Sequence, residues 1–205
     1  THRFKPVIPS YISQVAPSES SVIKRVAYEP LFLNYLTKTL NIKGVKRVSL
    51  HEPLTGLLRV TIITFAQDVS KTEIWRALYG AAFFKGDCGK ICIAVNEDID
   101  PDNADALFWA MAYRMNPIHD LKTLEHRGQG HGPKRENDGE EDSTLLMDAT
   151  MKSPMPPLAL PKEEYMVKAK KLWESFGLPH LKPQAPWFGY SLGDWSSVWD
   201  VAAKR

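Results

Sequence analysis

The 205 residues carry 26 lysines and arginines against 24 aspartates and glutamates, a formal charge of +2, with 43% hydrophobic content. A charge so small and so scattered argues against a nucleic-acid or membrane-surface protein, the largest basic blocks being pairs such as Lys24-Arg25 and Lys170-Lys171. No apolar run approaches the ~18 residues of a membrane span and no signal peptide opens the chain, so a cytoplasmic protein with one good core is expected.

Val15 to Leu40 reads as a helical connector. Ser18 or Ser20 caps a first helix through Val22, Ile23 and Val26, and Pro30 starts a second through Leu31, Tyr35 and Leu36. The period then changes: Val45 to Glu52 and Leu57 to Phe65 are strand-like runs separated by Pro53-Leu54-Thr55-Gly56, which makes them antiparallel neighbours. Ser70 and Glu73 form a capping box for a helix through Ile74, Leu78 and Ala81. The loop Gly86-Asp87-Cys88-Gly89 ends it. Cys88 and Cys92 lie too close in sequence to bridge without distorting the following strand, so free thiols are expected.

The most informative stretch follows, Gly89 to Pro117. Ile91, Ile93 and Val95 make a strand buried on both faces, parallel to the run from Leu57 because a helix bridges the two. Asp100 and Pro101 predict a helix start, with Glu97, Asp98 and Asp100 serving the positive helix end rather than a metal. Ala104, Leu107, Phe108, Met111, Ala112 and Met115 are expected on the inward face, and Pro117 stops the helix. A short strand, Leu121 to Glu125, returns to the sheet. The alternation predicts an α/β fold, a layered mixed β-sheet with flanking helices. No glycine-rich phosphate loop of the P-loop or dinucleotide type stands at any strand-to-helix turn.

Beyond Glu125 the composition shifts to glycine and charge. Lys134 to Asp142 reads as a solvated loop, and the spacing of Glu136 and Glu141 is incidental. In His126-Arg127-Gly128-Gln129-Gly130-His131, glycines allow close backbone approach to a ligand while the side chains offer donors and acceptors. His51 and His119 read as structural, and His126 with His131 lacks a third metal ligand. Lys85 and Lys90 flank the Gly86 to Gly89 loop as two basic residues over a turn. Met151 to Pro161 reads as an extended connection. From Pro161 an amphipathic helix runs with Glu163, Glu164 and Lys168 outward, Tyr165, Ala169, Leu172, Trp173 and Phe176 inward, and Gly177 as its stop. Trp187, Phe188, Tyr190, Trp195 and Trp199 then need a partner. The parent core or a neighbouring subunit would serve; a nucleic-acid stacking platform lacks its basic groove.

Glu97 to Asp100, then Leu107, Trp109, Ala110, Ala112, Arg114, Pro117 and Asp120, resemble the E-D-I-D, L-x-W-A-x-A-x-R and P-x-x-D pattern of the UbiD family, reversible decarboxylases that use prenylated FMN. Thr1 to Arg3 with Pro6-Val7, and Met147-Asp148-Ala149-Thr150, are similar to two further family motifs and stand in family order. The resemblance implies a C-terminal domain: residues 1–43 as the end of an upstream domain and connector, 44–160 as the α/β domain, and 161–205 as a C-terminal helix and aromatic-rich tail. It implies a substrate that is an aromatic or α,β-unsaturated carboxylic acid, met through His126, Arg127, Gln129 and His131. The polarity of that loop favours a polar aromatic acid. Lys85, or Lys90, would reach the phosphate of prenylated FMN held mainly by upstream domains, where a divalent metal and potassium would also sit.

The arginine and paired glutamates that act in the family have no counterpart here, so no catalytic residue is assigned to this chain. The segment would cap the active site and build a homo-oligomer, dimer or hexamer, with a flavin prenyltransferase supplying the cofactor. The alternative is a non-catalytic α/β interaction or scaffold domain. Thr1 in place of Met fits a processed product or a piece of a longer protein.

Overall fold

A computed structural model describes residues 19–50, 59–85, 89–128, 141–152 and 162–179. The chain divides after Met151 into two compact units. In the first, the elements run α1 (Glu19–Asn34), a π-helical turn (Tyr35–Thr39), β1 (Val45–Leu50), β2 (Val60–Phe65), α2 (Lys71–Phe84), β3 (Ile91–Asn96), α3 (Ala104–Arg114), α4 (Pro117–Asp120), β4 (Leu121–Gly128) and β5 (Glu141–Asp148). The second contains α5 (Glu163–Ser175).

The five strands form one sheet in the order β1-β2-β3-β5-β4. β1 and β2 are antiparallel, β2 and β3 parallel, as expected. The expectation missed β5, a strand parallel to β3 and antiparallel to β4. Its first residues, Glu141-Asp142-Ser143, carry the charge of the preceding loop, and only Leu145 to Met147 look like strand. Neighbouring strands on both sides supply the pairing that its composition does not advertise.

The sheet is buried on both faces, so β2 and β3 at its centre are mostly apolar. On one face α1, the π-helical turn and α2 cover Ile63, Phe65, Cys92, Ala94 and Leu146; on the other α3 covers Ile62, Ile93, Val95 and Met147. Gly80 lets α2 approach closely, since a Cβ there would lie 2.6 Å from Leu40 Cδ1. Cys92 is buried, and its thiol donates to Gly89 O at 3.6 Å. Residues 1–18, Cys88 and the tryptophans of the tail lie outside the described residues.

Three local expectations need correction. Residues 19–34 are one helix with Pro30 inside it, not two, and Val22, Ile23 and Val26 are exposed. The inner face of α1 is instead set by Phe32 and by Glu29, which accepts a hydrogen bond from Leu50 N at 2.9 Å. α3 begins three residues late: Asn103, not Asp100, is its cap, accepting from Asp105 N and Ala106 N. Asp100 instead accepts from Asp102 N in a turn of its own. With the start shifted, Ala106, Leu107, Ala110 and Arg114 face the sheet while Phe108 and Ala112 point outward.

At Ser70 only half of the capping box forms. Its Oγ accepts from Glu73 N, but the Glu73 carboxylate turns to Lys43 N and Arg76. α5 ends with Gly177 in the left-handed region, as expected. Its Tyr165, Leu172 and Phe176 are exposed rather than covered, and Trp173 donates from its ring nitrogen to Pro179 O.

Candidate functional site

The two ends of the parallel strands differ in chemistry. At the carboxyl end, Asn96 donates to Ala66 O and accepts from Met151 N, tying β2, β3 and the chain beyond β5 together. Asp148 accepts from the N–H and the hydroxyl of Thr150. Asp98 meets Arg114 in a bidentate ion pair, one arm 3.0 Å long, with both side chains more than nine-tenths buried. Trp109 lies against the Arg114 guanidinium, 5.1 Å from ring centroid to Cζ. So Asp98 anchors α3 to the sheet, where a helix-end role was expected.

At the amino end, four of the sequence-predicted residues come together from separate elements. Lys85 caps the end of α2, Lys90 precedes β3, and His126 and Arg127 lie at the far end of β4, which is antiparallel to β5 and so finishes where β5 starts. His126 and Arg127 are thus strand residues, not loop residues, because β4 continues to Gly128. Gln129 and His131 lie outside the described residues.

A bulge decides which of these side chains faces the helix. Leu124 pairs with Thr144, but Arg127 pairs with Asp142, so β4 uses one residue more than its partner. His126 takes φ 57°, the left-handed conformation that the extra residue of such a bulge adopts. Lys122 and Leu124 point toward α2, and strict alternation would send His126 there next. The extra residue moves the parity on by one. Arg127 consequently lies over the Phe83 ring, 4.5 Å from its centroid, and donates to Ala82 O and to Thr144 Oγ1.

Sequence reasoning missed the α2 face that receives these cations. Trp75, Tyr79 and Phe83 recur every four residues, a helical aromatic stripe, and Lys122 sits 4.4 Å from the Trp75 centroid just as Arg127 sits over Phe83. Spacing alone could have revealed the stripe; the cations opposite depend on the bulge.

The two lysines are placed differently. Lys85 Nζ lies 5.2 Å from the Tyr28 ring centroid. Lys90 Nζ contacts both carboxylate oxygens of Asp142 at 2.8 Å. Burial pushes the Asp142 carboxyl up, but hydrogen bonds from Lys90 and Ser143 N and the nearby charges of Lys90 and Arg59 outweigh it, holding the group below the ordinary aspartate range. Among the described residues, then, Arg59, Lys85, Lys90 and Arg127 lie at this end, with Asp142 bound by Lys90 and close to the charge of Arg59, a set of donors that suits an anion. No group of three or more metal-ligating side chains occurs among the described residues.

A family profile, described as the 3-octaprenyl-4-hydroxybenzoate carboxy-lyase C-terminal domain, matches residues 23–149. The chain belongs to this family, the UbiD C-terminal domains. No curated protein sequence matches it. Among solved structures it is similar to the UbiD-class enzyme HmfF from Pelotomaculum thermopropionicum in complex with FMN, with a TM-score of 0.59 and 17% identity over 71% of this chain and 33% of that one. An evolved dimeric form of HmfF with prFMN gives 0.55 and 19% over 70% and 29%. The 3,4-dihydroxybenzoic acid decarboxylase of Enterobacter cloacae gives 0.59 and 17% over 76% and 35%. The chain therefore spans about a third of the length of these relatives.

Proposed function

We propose that this chain is the C-terminal domain of a UbiD-like enzyme that reversibly decarboxylates aromatic or α,β-unsaturated carboxylic acids with prenylated FMN. The observation that carries the reading is the family match over residues 23–149, reinforced by the fold shared with UbiD-class enzymes. The prenylated flavin, when bound, supplies the electron sink for loss of carbon dioxide. The residues of this chain contribute charge and shape at the amino end of the parallel strands. Lys85, at the end of α2, is the better candidate for the flavin phosphate by the family resemblance, with Lys90 the other. Arg127 and His126, with Gln129 and His131 beyond them, are the candidates for contact with the substrate acid.

The segment caps an active site whose reacting groups, with any divalent metal or potassium, belong to other domains, and it takes part in a cytoplasmic homo-oligomer. The exposed apolar residues of α5 support the last point, since Tyr165, Leu172 and Phe176 line one helix face that suits a subunit contact. A flavin prenyltransferase would supply the cofactor. Capture of the native protein from its source cells, with intact mass and flavin absorbance, tests the reading. The expected species is much heavier than 23.2 kDa and carries prenylated FMN. A flavin-free species of 23.2 kDa with no flavoprotein partner would overturn the proposal in favour of a scaffold domain.

A further inference from the structure

We propose that Arg127 and Phe83 together form a subsite for an aromatic carboxylate, Arg127 taking the carboxylate and Phe83 the ring. This rests on the function proposed above and deepens it by adding a residue of α2 to the candidate contacts of β4.

The Arg127 charge is uncompensated among the described residues. Arg127 is partly buried, yet its acceptors are neutral, Ala82 O and Thr144 Oγ1 at 3.3 Å. The carboxylate directly across the ladder is Asp142, and both of its oxygens are taken by Lys90 at 2.8 Å, one of them also by Ser143 N at 2.7 Å. Among the described residues no carboxylate reaches Arg127. A guanidinium has five N–H donors, of which Nε and one on Nη2 are used, so three, both on Nη1 and the second on Nη2, remain for a ligand. Buried or half-buried arginine ordinarily carries an acidic partner, and a fork held in place by neutral acceptors is preorganised for a planar anion.

The second observation is Phe83. Its side chain sits on the last turn of α2, in contact with the guanidinium, and the residue is 61% exposed. An exposed phenylalanine is unremarkable alone. Beside an uncompensated guanidinium it offers an apolar ring surface within reach of a carboxylate contact, which fits an aromatic acid and gives nothing extra to a phosphate or an aliphatic acid. The bulge at His126 is what brings the two side chains to one face, and the backbone bond to Ala82 O fixes the guanidinium against α2.

The test is an NMR titration of the full 205-residue chain with 4-hydroxybenzoate and, separately, acetate, following Arg127 Nε–H and the Phe83 ring. The expected result is movement of both signals, with 4-hydroxybenzoate binding about threefold or more tighter than acetate. Arg127→Gln should weaken 4-hydroxybenzoate roughly tenfold or more, and Phe83→Leu should bring its affinity down toward that of acetate. If Arg127→Gln does not fold, Arg127→Lys keeps the charge, loses the fork, and should also bind more weakly.

Signals that stay still, equal binding of the two acids, or variants that lower Tm and leave the ratio of affinities unchanged would overturn the subsite. Decarboxylation by the native protein that Phe83→Leu and Arg127→Lys leave untouched would overturn it while the proposed function stands. Binding to this chain, with no flavin and no decarboxylation in the native protein, would remove the proposed function and leave the subsite.

Discussion

The carboxyl end of the parallel strands is sewn shut, and the amino end is not. Open α/β sheets commonly bind ligands at the carboxyl ends of their strands. Here that end is occupied by the protein's own polar groups: Asn96, Asp98, Arg114, Asp148 and Thr150 are all buried, and each has a partner in the chain. The amino end holds Lys85, Lys90 and Arg127 on elements that meet there, with Asp142 the carboxylate engaged by Lys90. The lesson is that position in the fold does not name the site. Buried polar groups with partners in the chain belong to folding, and Arg127, which no carboxylate among the described residues reaches, belongs to binding.

The largest expected effect tests the first half of that contrast. Asp98→Ala leaves the Arg114 guanidinium buried, where its Nε already lacks a partner among the described residues, so it should cost about 3–5 kcal/mol of stability. Replacing both residues with apolar side chains of similar volume should recover most of that loss. Chemical denaturation of the two variants measures both. A cost for Asp98→Ala below about 1 kcal/mol would mean that water reaches the pair, and the carboxyl end would have to be counted as open.

The sheet was legible in the sequence where side chains and neighbours agree. Ile91, Ile93 and Val95 announce β3, and the turn residues between β1 and β2 announce an antiparallel pair, because apolar alternation and turn chemistry are local properties. β5 was illegible because its stability comes from pairing on both edges. The outward rotation of Phe108 and Ala112 was hidden for a related reason. α3 carries apolar residues nearly all round, so periodicity could not say which stripe the sheet would choose until Asn103 set the start. At the candidate site, Lys85, Lys90, His126 and Arg127 could be singled out by type. Their meeting at one end could not, since it follows from the β4–β5 pairing, and the aim of Arg127 follows from one extra residue in the ladder.

A middle-sized effect sharpens the amino end. Gly89 precedes Lys90 with φ 67°, and a Cβ there would lie 2.9 Å from Thr61 Oγ1 and 3.0 Å from Cys92 Sγ. Gly89→Ala should cost about 1–2 kcal/mol from the left-handed backbone alone, with the close contacts adding to it. The same variant should displace Lys90 from Asp142, so its loss of stability should shrink when Lys90→Met is already present. Thermal unfolding of the single and double variants reads that coupling. Strict additivity would show that the loop conformation and the ion pair are independent.

The smallest effect is the Lys90–Asp142 pair itself. Lys90 is about half exposed, so Lys90→Met should cost only about 0.2–1 kcal/mol near neutral pH. Its signature lies in acid. The Asp142 carboxyl is held below its ordinary range in the folded chain, so the unfolded chain takes up the proton first as pH falls. The stabilisation is therefore complete above about pH 4, the unfolded value, and is lost as pH falls through the lower folded value. Removing Lys90 should flatten that acid-side slope and leave the profile above about pH 5 nearly parallel to wild type. Because Arg127 lies across the ladder from Asp142, the freed carboxylate has Arg127 as well as Arg59 within the same end of the sheet. If Asp142 turns to Arg127 in the Lys90→Met chain, the acid slope will persist and affinity for aromatic acids will fall, which makes Lys90 the residue that keeps Arg127 available.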